Sequence, residues 1–175
     1  MSDVITAARP PSSATSARRG ILFLVSALIV VLDRVTKIAV AHTIPLGDAR
    51  VVIPKVFRIT HVLNTGAAFS LFGDSASPER VRWLLVGFSL IAAVVVAIVL
   101  VRLGRSITAT TFGLALILGG AIGNAYDRIR TGEVIDFLEV HIVHYHWPDF
   151  NVADSAIVCG GILLVLHSLM PAREQ

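Results

Sequence analysis

The sequence predicts an all-α membrane protein, four transmembrane helices with a small strand-containing extracytoplasmic platform between helices 1 and 2, and three observations predict it. Hydrophobic residues make up 55% of the chain and charged ones only 15%, and the mean hydropathy of +0.78 lies well above that of a water-soluble domain. Two stretches, residues 83–101 and 106–126, carry no charge and are long enough to cross the roughly 30 Å hydrocarbon core of a bilayer. A chain of 175 residues holds four such spans and two loops large enough to fold, with no room for a separate soluble domain.

Taken in order, residues 1–19 contain two adjacent prolines and several serines without apolar periodicity, so a disordered cytoplasmic tail is expected there. Residues 20–171 should form one four-span domain, followed by a short tail at 172–175. The first span, about 20–41, begins with a clean apolar run but carries Asp33, Arg34 and Lys37 toward its far end. The same run after Arg18 and Arg19, with Ala39-Val-Ala41 behind it, also resembles a cleaved secretory signal, but three charges between apolar core and cleavage site are foreign to one. Residues 50–57 and 58–63 are rich in Val, Ile and Phe around Pro54, which predicts the strands of the platform. A short helix or turn is expected over 69–72, ahead of Pro78. The second and third spans, 83–102 and 106–126, are separated by a very short link, and the fourth, 152–170, opens near Asp154 and stops at Pro171.

Orientation follows from that link. It carries Arg102 and Arg105, which places it on the cytoplasmic side; both termini are then cytoplasmic, and the loops 41–82 and 127–151 lie outside. The expected location is a bacterial cytoplasmic (inner) membrane. The net charge of +3 does not indicate nucleic acid, because the basic residues flank apolar segments and form no stripe. The single cysteine, Cys159, lies in an apolar run and reads as packing.

With that topology the polar residues that bilayers exclude gather near one side: Asp33 in the first span, Asn124 ending the third, Asp136 beyond it and Asp154 opening the fourth, with Asn64 entering from the platform. Ionisable groups at one membrane depth point to a functional site. Asp33 and Lys37 are spaced i, i+4 with the acid first, the favourable order for a helical ion pair. Gly119 and Gly123 form a small-xxx-small face for close helix packing.

The blocks Asp33-Arg-Val-Thr-Lys37, Asn64-Thr-Gly-Ala-Ala-Phe-Ser70, Gly119-Gly-Ala-Ile-Gly-Asn-Ala-Tyr-Asp-Arg128 continuing to Gly132-Glu-Val-Ile-Asp-Phe137, and Phe150-Asn-Val-Ala-Asp-Ser155 resemble the signature blocks of lipoprotein signal peptidases (signal peptidase II), in that family's order. The family usually has Gln where this chain has Arg34. The resemblance implies an intramembrane aspartic endopeptidase with Asp136 and Asp154 as its catalytic pair. It implies supporting or substrate-binding roles for Asp33, Lys37, Asn64, Gly66, Asn124, Asp127, Arg128 and Asn151. The substrate it implies is a prolipoprotein carrying diacylglycerol on its lipobox cysteine, cut on the amino side of that cysteine by a monomer in contact with membrane lipid. No metal or cofactor is implied.

Elementary chemistry agrees with such a pair. Two carboxylates close together share one proton, so that one member takes a proton from water while the other polarises the scissile carbonyl. Asp154 also suits a helix N-cap, and Asp127 beside Arg128 reads as an interfacial brace. His141, His144 and His146 fit neither one helical face nor one strand face and lack a clear fourth ligand, so a solvated loop is expected in place of a metal site. A transporter would need polar residues along a full path, and the cytoplasmic halves of the last three spans are almost entirely apolar. A scaffold leaves the interfacial carboxylates unexplained.

The topology has a direct check. In a variant lacking Cys159, a Thr131→Cys thiol should react with an impermeant reagent added to intact cells; reaction only after membrane rupture would invert the assignment.

Overall fold

The computed structural model describes residues 13–66, 77–142 and 145–170; the expected turn at 69–72 and His144 lie outside them. Four helices alternate with strands: α1 (Ser13–Thr43), β1 (Ala49–Ile53), β2 (Phe57–Asn64), α2 (Pro78–Leu103), α3 (Ala109–Arg130), β3 (Val134–Ile142), β4 (Tyr145–His146) and α4 (Val152–Leu169). By length and composition α2, α3 and α4 are each able to cross a membrane. Helix α1 is longer than expected. It begins at Ser13, so the last part of the stretch read as a disordered tail is helical, and it runs unbroken through the Ala39-Val-Ala41 segment.

Local sequence explains where the helices begin. Pro78, whose missing N–H costs nothing in a first turn, sits at the start of α2. Thr108 caps α3 through a reciprocal pair of hydrogen bonds with Thr111, and Asn151 does the same for α4 with Asp154. The cap at α4 is therefore Asn151, and Asp154 is its partner at the third helical position.

Helix α3 is central, packed on α1, α2 and α4. Leu22, Leu100, Leu114, Ala115 and Leu118 form the buried core at the end of the bundle near the α2–α3 link. Between helices in lipid, close approach replaces the hydrophobic effect as the source of affinity. A Cβ on Gly120 would strike the carbonyl oxygen and backbone of Ala153 in α4, and one on Gly119 would lie 2.7 Å from the carbonyl oxygen of Ser26 in α1. The outward faces are apolar: Leu84, Phe88, Ile91 and Val94 of α2 and Ile162, Val165 and Leu169 of α4 are exposed. Cys159 is exposed too, on α4, rather than packed.

The strands form one antiparallel sheet in the order β1-β2-β3-β4. The first two arise where the sequence predicts them. The other half comes from the connection between α3 and α4, so the platform does not belong to helices 1 and 2 alone. In β2–β3 the register runs from Phe57 opposite Val140 to Asn64 opposite Val134, with an irregularity between Ile59 and Val62. Phe150 bridges to Leu138, which carries the start of α4 back against β3 and places Asn151 beside Asp136.

The helix approach predicts a stability difference. Gly120→Val should lower the unfolding temperature in detergent, with a cost of about 1–3 kcal/mol for overpacking. Gly87→Ala, at a helical position where an added Cβ meets nothing within 4 Å, should leave it unchanged or raise it. Equal effects of the two would refute the packing described.

Candidate active site

The site begins with one buried cation. Lys37 is 0% exposed and Asp33 is 2% exposed. From α1, Lys37 Nζ donates to Asp33 Oδ2 at 2.7 Å and to Asn124 Oδ1 at 3.3 Å, and it ion-pairs with Asp127 Oδ2 at 2.7 Å. Asp33 and Asn124 accept hydrogen bonds from the ammonium, and the Asp127 carboxylate adds a charge contact. The i, i+4 pair is present as the sequence predicts, but it is half of a larger arrangement. Asp33 also turns its Oδ1 to the backbone N–H of Ala153 at 3.0 Å, one of the free amides in the first turn of α4, where the helix dipole favours negative charge.

Asp127 and Arg128 do not brace each other. Successive residues of a helix point about 100° apart, and the two side chains leave in different directions. Asp127 pairs with Lys37 and, at 3.1 Å, with Arg34; Arg34 in turn lies 5.2 Å over the Tyr126 ring. Arg128 Nη2 donates to the carbonyl oxygen of Gly66 at 2.8 Å. Gly66 thus contributes backbone, its N–H donating to Asn64 Oδ1 at 2.9 Å.

The asparagines join this base to the two remaining acids. Asn64 Nδ2 donates to Asp136 Oδ2 at 2.9 Å. Asn124 Nδ2 donates to Asp154 Oδ1 at 2.7 Å. Asn151 reaches both carboxylates: its Nδ2 donates to Asp136 Oδ1 at 2.7 Å and its backbone N–H to Asp154 Oδ2 at 3.2 Å. Nδ2 of Asn151 also lies 3.3 Å from Asn124 Oδ1, closing the network. All ten residues singled out in the sequence are therefore connected, with Asn64, Asn124 and Asn151 bonded directly to Asp136 or Asp154.

Asp136 is buried on β3. Burial is the largest influence on its carboxyl and the charge of Asp154 the next; together they outweigh the Asn64 and Asn151 hydrogen bonds and Lys37, and the carboxyl is pushed up to about 7. A buried acid that keeps its proton near neutrality beside a second carboxylate is suited to general acid–base chemistry on a neutral carbonyl and a water.

Arg82 was not singled out from sequence, and Arg34 was noted there as the departure from the family's Gln, without a role. Arg82 Nε and Nη2 donate to the carbonyl oxygens of Arg128 and Ile129 at 2.7 and 2.8 Å, closing the end of α3 next to the site. The signal was present at Arg34, a charge within an apolar run one residue after Asp33.

Comparison with known proteins gives a consistent result. Residues 25–170 match the family Peptidase_A8, signal peptidase (SPase) II. The chain is 46% identical over 154 residues to a lipoprotein signal peptidase of Pseudomonas putida, covering 86% of this chain and 87% of the other. It is 42% identical over 146 residues to a lipoprotein signal peptidase of Desulforapulum autotrophicum, covering 83% and 90%. Among solved structures it is similar to a bacterial membrane enzyme determined by the in meso method at 2.3 Å resolution, with a TM-score of 0.78 and 28% identity over 89% of this chain and 94% of that one.

The Lys37 arrangement makes a quantitative expectation. Lys37→Met leaves Asp33 and Asp127 buried without their shared cation and should cost about 3–5 kcal/mol. Asp33→Asn should cost less, because Lys37 keeps Asp127. Thermal unfolding of the two variants in the same detergent decides; the reverse order would remove Lys37 from the centre of the network.

Proposed function

The chain belongs to the signal peptidase II family, peptidases that remove the signal peptide of prolipoproteins, and from that premise we propose that Asp136 and Asp154 carry out the hydrolysis. The observation that supports this reading best is Asn151, which holds one oxygen of each carboxyl group. Asp136, protonated up to about pH 7, donates to the carbonyl oxygen of the scissile bond. Asp154, in the first turn of α4 where the dipole favours negative charge, takes a proton from water. Attack gives a tetrahedral diol, and its collapse moves a proton to the leaving amine, so the pair returns to one shared proton. Lys37, Asn64 and Asn124 position the pair.

The substrate is a diacylglyceryl-modified bacterial prolipoprotein, cut on the amino side of the lipidated cysteine. A lipid-anchored cysteine presents its backbone at the membrane surface while its acyl chains stay in the bilayer. That is the depth expected of a site between the helix ends and the sheet. Helix α1 is the fourth span: its 31 residues cover about 46 Å at 1.5 Å per residue, and Asp33 and Lys37 are satisfied from α3 and α4 rather than exposed to lipid. Arg102 and Arg105 assign the α2–α3 link to the cytoplasm. Arg18 Nη1 donates to the carbonyl oxygen of Arg105 at 3.1 Å, which supports a cytoplasmic start of α1 at the same end and a site on the outer face of the inner membrane.

Asp136→Asn and Asp154→Asn should each abolish nearly all release of signal peptide from a diacylglyceryl-modified precursor, read by gel shift, with binding retained. The double variant should be about as inactive as either single one. Asp136→Asn carries a second expectation. A carboxyl group raised to about 7 in the folded state, from 3.8, makes the fold lose stability as pH rises between those values, since the folded form then binds more protons than the unfolded one. The variant should therefore unfold several degrees above wild type at pH 8. Cleavage near the wild-type rate by either single variant would overturn the assignment.

A further inference from the structure

The geometry points to a divalent transition-metal site, of the kind zinc occupies, held by Glu139, His146 and Asp149 beside the sheet. His141 and His146 lie on strands and not in the solvated loop that the sequence suggests. His141 of β3 and His146 of β4 are direct partners across the antiparallel pair, with ring centroids 5.7 Å apart. Glu139, two residues before His141 on the same strand, points its carboxylate between them: His141 Nε2 lies 3.0 Å and His146 Nε2 3.2 Å from Glu139 Oε1. Donor atoms of Glu139, His146 and Asp149 all lie within 4.8 Å of one another.

The 3.2 Å between His146 Nε2 and Glu139 Oε1 is that of a ligand shell. An ion with bonds of about 2.0 Å in tetrahedral geometry holds its ligand atoms about 3.3 Å apart. One imidazole and two carboxylates supply three donors and leave the fourth position to water, and the mixed nitrogen and oxygen set is that of zinc and its neighbours rather than of calcium or magnesium.

Two further observations favour an ion over a set of ordinary hydrogen bonds. Asp149 Oδ1 is buried without a hydrogen-bond partner among the described residues, a costly state for a polar atom. The charge is also unbalanced. Arg58, opposite Glu139 in register, binds both oxygens of that carboxylate, and two carboxylates against one guanidinium leave one negative charge unmatched. Arg58 then acts as the outer partner that orients a ligating carboxylate. His146 is more than half exposed, which provides the ion with a path from solvent.

The position gives the ion a consequence. Glu139 follows Asp136 by three residues on β3, and Asp149 precedes Asn151 by two. A bound ion ties together the two segments that present Asp136 and Asn151, outside the hydrolytic pair itself.

The test uses the full chain in detergent with Cys159→Ser, because an exposed thiol binds zinc on its own. Calorimetric titration with zinc chloride should give one ion per chain, and cobalt should give the strong visible absorption of four-coordinate nitrogen and oxygen ligation. His146→Ala, at an exposed position that leaves the fold intact, and Asp149→Asn should each weaken binding about tenfold or more. Zinc should raise the unfolding temperature of the parent and not of His146→Ala. Absence of saturable zinc binding, affinity unchanged in both variants, or calcium binding as tightly as zinc would each overturn the proposal.

Discussion

The structure turns on the burial of one ammonium group. A lysine withdrawn from water in a membrane protein is tolerable only if its charge is matched by nearby polar groups, and Lys37 finds them on two helices: Asp33 of its own and Asn124 of α3 by hydrogen bond, and Asp127 of α3 by ion pair. This fixes the azimuth of α1 against α3. Asp33, held in place by Lys37, then receives the Ala153 amide and fixes the start of α4. Asn124, with its oxygen committed to Lys37, has only its amide group to offer, and directs it at Asp154. The orientation of a carboxylate at the opposite side of the bundle thus descends from a helical i, i+4 pair.

The sheet supplies what the bundle lacks. Had α3 continued as a helix, Asp136 would have been carried past the helix ends; on β3 it returns to them and meets Asn64 from β2 and Asn151 from the α4 cap. The bridge between Leu138 and Phe150 makes that meeting reproducible, because it locks the segment before the cap onto the strand that carries the acid. Each amide side chain spends its oxygen on structure and its nitrogen on a carboxylate: Asn64 on the Gly66 N–H, Asn124 on Lys37, Asn151 on the Asp154 N–H. The same residues therefore serve turn, cap and site at once.

Most of the helical architecture was legible in the sequence, because charge-free runs of membrane length admit one reading. The Asp33–Lys37 pair was legible for the same reason, as helical spacing determines which side chains can meet. Three features were hidden. Strand β3 escaped because its acids, Asp136 and Glu139, are an odd number of residues apart and yet both buried; the irregularity opposite Ile59 to Val62 breaks the alternation by which strands are recognised. Asp127 was read as an interfacial brace without partners; those it has, Arg34 and Lys37, lie 90 or more positions away, beyond the reach of any local pattern. The helix from Ser13 was concealed by a polar composition typical of tails, and the Arg18 contact to the α2–α3 link is tertiary information that no local pattern contains.

The account assigns to Asp136 the proton that polarises the substrate, and the pH dependence of kcat/KM for release of signal peptide from a diacylglyceryl-modified precursor tests it most directly, since that quantity reports the free enzyme's essential acid and base. The wild-type value should fall as pH rises through about 7, where the buried Asp136 carboxyl gives up its proton. A value that keeps rising through and beyond that pH would mean that the reaction needs Asp136 ionised, and would contradict the account.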